Sequence, residues 1–319
     1  MANLLLIGDA TPPMRDALGK RFTIHDAARD GSTPGWLAEH GPTIDYVLTN
    51  GHDGVPVDWV AAMPNLKAIS CYGVGYDNID APHARQRGVL VTHTPNVLNA
   101  EVATTALLLM MACYREVLRD DAWVRSGEWE SKGNAPLTRS VDNQRVGILG
   151  LGRIGQAIAD KLAGFNAEVV YHTRTEKDVP YQYFPSLVAM ADYVDTLICI
   201  TPGGAGTRHL VNTDVINALG PDGTLINVSR GSVVDETALI AALQDGRLGW
   251  AGLDVFEAEP KVPAALRALP NVVLLPHVGS ATVQTRAAMG DLAVNNLLQH
   301  LDQGQVISPV PECAGMAGT

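Results

Sequence analysis

The stretch RVGILGLGRIGQAIADKLAGFNAEVVYHTRT, residues Arg145–Thr175, decides the fold of this chain. The apolar run Val146–Leu149 predicts a buried strand, and Glu168–Tyr171 predicts the strand that follows. Three glycines between these strands have the spacing G-x-G-x-x-G: Gly150, Gly152 and Gly155. A strand, a glycine turn, a helix and a second strand within about 30 residues are typical of a dinucleotide-binding domain.

Each glycine of this turn has a distinct expected purpose. Gly150 permits the tight turn, and Gly152 lets the backbone approach a pyrophosphate. Gly155 lets the helix pack closely on the strand, and the N-terminus of that helix offers free N–H groups to phosphates. We therefore expect Gly150–Gly155 to bind the phosphates of a dinucleotide.

Length and composition limit the classes of protein to consider. At 319 residues the chain has room for about two domains of ~150 residues each. A hydrophobic content of 46% and a charged content of 18% fit a globular protein with a large core. The net charge of −11 argues against nucleic acid or an anionic membrane as a partner, because both demand a basic face.

The same sequence predicts a cytoplasmic protein. The apolar run near the N-terminus is too short for a signal peptide and lacks preceding basic residues. The longest apolar stretch, Ala106–Cys113, is far shorter than the ~18 residues of a membrane span. Four cysteines without C-x-x-C pairing indicate free thiols in a reducing compartment. We predict no metal site.

The order of strand and helix patterns predicts an α/β fold made of two Rossmann-like parallel-sheet domains, with a cofactor and substrate cleft between them. Residues 1–98 show five strand patterns alternating with helices and, with residues 287–319, form the expected substrate domain of flavodoxin-like type. Residues 99–286 form the expected dinucleotide-binding domain, with six strands. A long final helix, about Ala281–Leu301, is expected to return to the first domain.

The sequence also predicts a long helix between the two domains and the N-caps of two later helices. One long helix is predicted over Asn96–Arg119, followed by an irregular connection over residues 120–144. Asp235 and Thr213 are predicted to be N-caps of later helices.

The end of the second strand of a dinucleotide domain distinguishes NAD from NADP. An acidic residue is expected about 20 residues beyond Gly150 when the ribose carries a free 2′-hydroxyl. The sequence instead has Thr173, Arg174 and Thr175, a guanidinium between two hydroxyls that suits a 2′-phosphate. We therefore predict NADP(H) as the preferred cofactor, whereas the nearby Glu176 leaves NAD open as the alternative.

Three later strand patterns each end in a polar residue, and ligands bind at the carboxyl ends of strands in such sheets. Arg230 follows the first, although an ion pair with Asp235 is an alternative use for it. An acidic segment ending in Glu259 follows the second, and His277 follows the third. A 2-keto acid needs a planar cation for its carboxylate, an acid for its carbonyl oxygen and a carboxylate that orients this acid.

These motifs resemble those of the D-isomer-specific 2-hydroxyacid dehydrogenases, and most of all their glyoxylate/hydroxypyruvate reductase branch. The resemblance covers nearly the whole chain. The segments that carry it are VGYDNID (Val74–Asp80), GLGRIG (Gly150–Gly155), INVSRGSVVDE (Ile226–Glu236), AGLDVFEAEP (Ala251–Pro260) and LLPHVGSAT (Leu274–Thr282).

The resemblance implies a role for each matching residue. Arg230 would bind the substrate carboxylate, Glu259 would orient the catalytic acid, and His277 would be that acid. The backbone amides of Val74 and Gly75 would hold the same carboxylate. The remaining matches are all to cofactor-binding positions: Thr105, Arg153, Ile154, Thr201, Pro202, Val228, Ser229, Asp254, Gly279 and Ser280, with His277 also beside the cofactor.

Within the family, Arg153 and Ile154 would flank the pyrophosphate, and Thr105 would lie near the phosphate on the nicotinamide side. Asp254 would lie by the carboxamide of the nicotinamide. The family is usually homodimeric, and Trp123 and Trp129 lie in a connection that could cross between subunits.

The expected activity is NADPH-dependent reduction of glyoxylate and hydroxypyruvate to glycolate and D-glycerate. The alternatives are an NAD-dependent reductase of phosphoglycerate type or of broader 2-keto acid range, and a protein that senses dinucleotides without catalysis, as the C-terminal-binding corepressors of this fold do. The length leaves no room for the regulatory domain common in phosphoglycerate enzymes. The resemblance also argues against a formate dehydrogenase, because formate dehydrogenases of this fold have Gln rather than Glu at the position of Glu259.

Overall fold

A computed structural model describes residues 1–27 and 34–316 of the chain. Its contacts divide the chain into two compact units, Met1–Leu98 with Ala281–Thr319, and Asn99–Ser280. The described residues of the first unit form a sheet of five strands and those of the second a sheet of seven, all paired in parallel. The prediction of two parallel-sheet α/β domains is confirmed.

In the described part of the first unit, strands and helices alternate along the chain. The elements up to residue 98 are β1 (Ala2–Leu6), α1 (Pro12–Gly19), β2 (Phe22–Asp26), α2 (Pro34–His40), β3 (Tyr46–Thr49), α3 (Val57–Ala62), β4 (Ala68–Cys71), α4 (Ala81–Gln86) and β5 (Leu90–Thr92). The strand order is β2-β1-β3-β4-β5. Strands β3, β4 and β5 are buried along their whole length, because crossover helices cover both faces of a parallel sheet.

The second unit begins with three helices and continues as a doubly wound sheet. Its elements are α5 (Asn99–Tyr114), α6 (Val117–Arg125), α7 (Glu128–Lys132), β6 (Arg145–Leu149), α8 (Arg153–Leu162), β7 (Glu168–His172), β8 (Gln182–Tyr183), α9 (Leu187–Tyr193), β9 (Thr196–Cys199), α10 (Thr213–Leu219), β10 (Thr224–Asn227), α11 (Glu236–Asp245), β11 (Trp250–Leu253), α12 (Ala264–Arg267) and β12 (Val272–Leu274).

The strand order of the second unit is β12-β11-β10-β9-β6-β7-β8. The direction of winding reverses between β6 and β9, and ligands bind at such a reversal, outside the carboxyl ends of the strands. Seven strands are present among the described residues where the sequence predicted six. The additional strand, β8, pairs with β7 and is only two residues long. Two residues are too few to show the apolar pattern of a strand in the sequence.

The predicted helix over Asn96–Arg119 is too long, and the predicted irregular connection over residues 120–144 is wrong in its first part. The helix α5 ends at Tyr114, because Glu116 adopts the left-handed conformation with φ 44° and turns the chain. Two further helices, α6 and α7, follow where an irregular segment was expected.

One of the two predicted N-caps is confirmed. The carboxylate of Asp235 accepts a hydrogen bond from the N–H of Ala238 at the start of α11. Thr213 is wrong as a cap, because Asn212 precedes α10 and accepts from the N–H groups of Asp214 and Val215.

The last helix, α13 (Val283–Gln303), belongs to the first unit. Its residue Ala293 is fully buried and accepts a hydrogen bond, 2.9 Å long, from the hydroxyl of Ser70 in β4. None of the helices in residues 1–27 and 34–316 is long and apolar enough to cross a membrane.

All four cysteines are buried free thiols, in agreement with the sequence. Burial raises the pKa of Cys113 and of Cys199 to about 12, so both remain protonated and unreactive near neutral pH.

Candidate active site

The glycine turn follows β6 at the point where the winding of the sheet reverses. Gly150 has φ 102°, and a Cβ built on it would lie 2.9 Å from both the Ile200 carbonyl oxygen and the Thr201 nitrogen. A Cβ on Gly155 would collide with the Gly150 carbonyl oxygen. Side chains are therefore excluded at both positions, the first by the turn and the second by the packing of α8 on it.

The third glycine of the turn leaves open space in front of helix α8. A Cβ built on Gly152 would meet nothing within 4 Å. Gly152 is also the N-cap of α8 and provides no side-chain cap, so the first-turn N–H groups keep their capacity to donate. These donors and the positive end of the helix dipole fit the pyrophosphate of a dinucleotide. Arg153 is exposed and Ile154 is half-buried at this helix start.

The end of β7 lies beside the glycine turn, because the N–H of Gly150 donates to the His172 carbonyl at 3.0 Å. The Thr173 hydroxyl donates to the Thr175 carbonyl at 2.7 Å and tightens the loop. Arg174 and Thr175 are exposed. Among the described residues, the Arg174 guanidinium has no hydrogen-bond or ion-pair partner, so it is available to a ligand.

Strand β9 delivers Thr201 and Pro202 to the other side of the same turn. Thr201 is half-buried and Pro202 is exposed. The Thr207 hydroxyl donates to the Pro202 carbonyl at 2.8 Å, which closes the glycine-rich loop that follows.

A hydrogen-bonded turn at the end of β10 supports Arg230. The buried Asn227 side chain accepts from the N–H and the hydroxyl of Ser229 and donates to the Arg230 carbonyl at 2.9 Å. The Arg230 guanidinium donates to the Ser229 carbonyl and is half-buried. The side chains of Val228 and Ser229 are buried, so a cofactor would meet these two residues through their backbone.

Gly231, which follows Arg230, packs this turn directly against the segment that carries Glu259. A Cβ built on Gly231 would collide with the backbone of Phe256 and Glu257. The Glu259 carboxylate accepts from the N–H of Phe256 at 2.9 Å through one oxygen. The Arg230 segment and the Glu259 segment are therefore interlocked at a distance that admits only glycine.

The other carboxylate oxygen of Glu259 accepts from Nδ1 of His277 at 2.7 Å. Because a carboxylate accepts on both oxygens here, its position is fixed and so is the plane of the imidazole. The His277 side chain remains 46% exposed, which leaves its second ring nitrogen accessible to a ligand. The structure thus joins Glu259 to His277 and packs the Arg230 turn beside them.

Asp254 fixes the backbone of the His277 loop. Its carboxylate accepts from the N–H groups of Val278 and Gly279 at 2.7 and 2.8 Å, and its carbonyl accepts from the N–H of His277. Burial raises the pKa of the Asp254 carboxyl, and the two N–H donors partly offset that rise. The Thr105 hydroxyl donates to the Gly279 carbonyl at 3.1 Å, and Ser280 follows half-buried.

His277 itself lies in the left-handed region with φ 54°. This conformation costs about 1–3 kcal/mol in a residue with a side chain, and such strain is concentrated at functional sites. The hydrogen bonds that His277 donates to Asp254 and Glu259 hold the residue there.

Val74 and Gly75 lie in the first unit, in the loop after β4, and both are half-buried. The N–H groups of Val74 and Gly75 donate to no acceptor among the described residues.

Two residues of this arrangement were not anticipated from the sequence. Asn227 builds the turn under Arg230, and Gly231 allows the interlock. The signal for the first was an Asn at the end of an apolar strand two residues before a Ser, a spacing that forms side-chain turns. The second leaves no signal in one sequence, because its partner lies about 25 residues away along the chain.

Comparison with known proteins identifies the family of this chain. Residues 107–279 match the family model described as D-isomer specific 2-hydroxyacid dehydrogenase, NAD binding domain. A 2-ketogluconate reductase of Gluconobacter oxydans is 42% identical over 97% of this chain and 98% of its own length. A glyoxylate/hydroxypyruvate reductase of Arabidopsis thaliana is 43% identical over 93% of this chain and 95% of its own length.

A solved structure of a similar protein matches nearly the whole chain. The NADPH-dependent glyoxylate/hydroxypyruvate reductase of Sinorhizobium meliloti, in complex with NADP and malonate, has a TM-score of 0.92 and 44% identity. The match covers 98% of this chain and 97% of that one. With a family model over more than half its length and relatives above 40% identity over nearly all of it, the chain belongs to the D-isomer specific 2-hydroxyacid dehydrogenases.

Proposed function

We propose that this dehydrogenase reduces glyoxylate and hydroxypyruvate with NADPH, giving glycolate and D-glycerate. The observation that carries the proposal is the Glu259–His277 hydrogen bond at the carboxyl end of the sheet, with the Arg230 turn interlocked beside it. This set provides an acid, its orienting carboxylate and a cation for a carboxylate. Similar proteins from Arabidopsis thaliana and Sinorhizobium meliloti carry the names of these two substrates.

The nicotinamide of a bound dinucleotide supplies the hydride that reduces the carbonyl carbon. The residues of the chain do the rest. His277 donates a proton to the carbonyl oxygen as that carbon is reduced, so one hydride and one proton convert the ketone or aldehyde to an alcohol. Glu259 accepts from Nδ1 and leaves the other ring nitrogen directed at the substrate.

The substrate carboxylate is bound by Arg230 and by the amides of Val74 and Gly75. A guanidinium matches a carboxylate with two parallel hydrogen bonds, which fixes the plane of the 2-keto acid. The backbone amides add donors without adding a charge. The guanidinium thereby orients the carbonyl group for protonation by His277.

NADPH is the proposed cofactor, although the family model is named for NAD. The support is the exposed Arg174 beside the glycine turn, in the place where an NAD enzyme of this fold has an acid. The similar structure from Sinorhizobium meliloti contains NADP.

Arg174→Ala is expected to raise the KM for NADPH about tenfold or more and to change the KM for NADH little, because only NADPH has a 2′-phosphate for the guanidinium. Steady-state kinetics with both cofactors at saturating glyoxylate test this. Arg208→Ala is the matched control, since Arg208 is also exposed but is paired with Glu257. An equal rise for NADPH and NADH would refute the assignment of Arg174.

A wider substrate range is the competing reading, and the 2-ketogluconate reductase of Gluconobacter oxydans is the observation that favours it. The test is absorbance at 340 nm with glyoxylate, hydroxypyruvate, pyruvate and 2-ketogluconate, each with NADPH and with NADH. The proposal expects the highest kcat/KM for the first two substrates with NADPH. A higher value for pyruvate or 2-ketogluconate would replace it, and cofactor binding without any turnover would indicate a dinucleotide sensor.

We also propose a homodimer in the cytoplasm. Six of the eleven large apolar residues that are exposed among the described residues lie between positions 108 and 137: Leu108, Val117, Leu118, Val124, Trp129 and Leu137. Exposed apolar residues concentrated in one segment of the chain favour an interaction site there. Light scattering of the purified protein should give twice the mass of the chain, and the mass of one chain would contradict the dimer. The four buried thiols fit a reducing compartment.

A further inference from the structure

The loop that follows β4 has an unusual set of hydrogen bonds. Three successive carbonyl groups are each bound by a different donor. The Gly73 carbonyl accepts from the N–H of Thr94 at 2.9 Å, the Val74 carbonyl from Nδ1 of His93 at 2.9 Å, and the Gly75 carbonyl from the Cys71 thiol at 3.4 Å.

These carbonyl contacts determine where the amides of the loop point. In a trans peptide unit the C=O and the following N–H are directed oppositely. The amides of Val74, Gly75 and Tyr76 therefore face away from the three donors, and none of them has an acceptor among the described residues. Successive amides without a partner offer donors to an anion.

His93 is the side chain that controls the middle peptide of this series. Its ring donates to the Val74 carbonyl, which belongs to the same peptide unit as the Gly75 amide. The rotation of this unit is set by ψ of Val74 and φ of Gly75, and glycine places little restriction on the second of these angles. Without the His93 hydrogen bond, the Val74 carbonyl would lose its partner and the peptide would be free to turn.

The backbone and the ring of His93 are themselves held. Its N–H donates to the Ser308 carbonyl at 3.2 Å, and the Ser308 hydroxyl donates back to the His93 carbonyl at 2.7 Å. The Tyr76 ring contacts the imidazole edge-on, with centroids 5.5 Å apart and an angle of 87°, and its hydroxyl donates to Glu312.

The chemistry of the bond also fixes the proton on the ring. A carbonyl oxygen can only accept, so Nδ1 of His93 must carry a hydrogen. Both the neutral Nδ1–H tautomer and the imidazolium satisfy this requirement. The contact is therefore the same in these two forms of the ring.

We propose that His93 is a positioning residue for substrate binding: it holds the Val74–Gly75 peptide so that the Gly75 amide faces the substrate carboxylate. This inference rests on the proposed function, in which the Val74 and Gly75 amides bind that carboxylate. It assigns to His93 an effect on the affinity for 2-keto acids and none on the chemical step or on the dinucleotide.

Two substitutions at His93 separate a positioning role from a general structural one. His93→Leu removes the donor, and the KM for glyoxylate is expected to rise about tenfold, the effect of one hydrogen bond. The kcat and the KM for NADPH are expected to stay within about twofold, because neither depends on this loop. His93→Asn retains an N–H donor at the place of Nδ1 and is expected to keep the KM near that of the unchanged protein.

His25→Leu is the matched control. His25 is also a half-buried histidine of the first unit, and its ring forms a hydrogen bond with Asn3, but it lies in β2, three strands from β4. This variant is expected to keep the KM for glyoxylate. An unchanged KM in His93→Leu, or an equal rise in His93→Leu, His93→Asn and His25→Leu, would overturn the inference.

Calorimetric binding of malonate to the full chain with NADP present provides a readout that does not need turnover. His93→Leu is expected to weaken malonate binding about tenfold and His93→Asn to leave it nearly unchanged. Failure of the unchanged protein to reduce any 2-keto acid would refute the proposed function, whereas equal malonate affinity in all variants would refute the role of His93. If His93→Leu does not fold, equal malonate affinity and KM in His93→Ala and the unchanged protein refute it as well.

Discussion

His277→Asn is expected to lower the kcat for glyoxylate by about 10²–10⁴-fold and to leave the affinity for NADPH nearly unchanged, because the variant loses general acid catalysis only. Asn is the suitable replacement, since it tolerates the left-handed backbone that His277 adopts with φ 54°. It can also retain a hydrogen bond to Glu259 while it has no proton to transfer at neutral pH. Stopped-flow reduction at saturating glyoxylate and fluorescence titration of NADPH measure the two effects separately.

His209→Asn is the matched control for this experiment. His209 lies in the same unit, also has a positive φ of 51°, and also contacts a glutamate, with Nε2 2.6 Å from Glu257. The same substitution there is expected to leave turnover within about threefold, because His209 has no place in the proton transfer. A comparable loss in both variants would show that the effect at His277 is conformational.

Arg230→Gln is expected to lower kcat/KM for glyoxylate by about 10²–10³-fold, since a carboxylate bound without its cation loses a charge-assisted pair of hydrogen bonds. The loss should fall mainly on keto acids. Methylglyoxal, a carbonyl compound without a carboxylate, is expected to be reduced by the variant and by the unchanged protein at similar rates. The comparison of the two substrates measures how much of the effect depends on the carboxylate.

Arg208→Gln serves as the control for Arg230→Gln, because Arg208 forms an exposed ion pair with Glu257 in the neighbouring segment. It is expected to keep kcat/KM for glyoxylate, as exposed ion pairs contribute little. If Arg230→Gln reduced the rates for glyoxylate and methylglyoxal alike, Arg230 would support the loop and would not bind the carboxylate.

The parts of the fold that follow a strong local pattern could be predicted from the sequence. The glycine turn between β6 and α8 is the clearest case, because three glycines at fixed spacing follow an apolar run, and the structure has no room for a side chain at Gly150 or Gly155. The buried strands β3, β4 and β9 also follow from continuous apolar runs. The pairing of Glu259 with His277 came from family resemblance, since residues 18 positions apart have no local signal of contact.

The predictions that failed depend on tertiary structure or on very short elements. The break after Tyr114 is a single left-handed residue, Glu116, and nothing in its residue type favours that conformation. The two-residue strand β8 exists because β7 lies beside it. Thr213 and Asn212 are both good caps, and only the backbone conformation decides between them.

The interlock at Gly231 bears on how proteins of this kind diverge. A methyl group at position 231 would displace either the Arg230 turn or the backbone at Phe256, so a substitution there would disturb both the proposed carboxylate-binding cation and the segment that carries Glu259. A substitution that shifts Arg230 through this interlock would therefore also disturb Glu259, which orients the proposed acid. New substrates must be accommodated by residues that meet the rest of the molecule, and an engineer who wishes to widen the substrate range should leave residues 227–231 and 254–259 unchanged and vary the loops elsewhere.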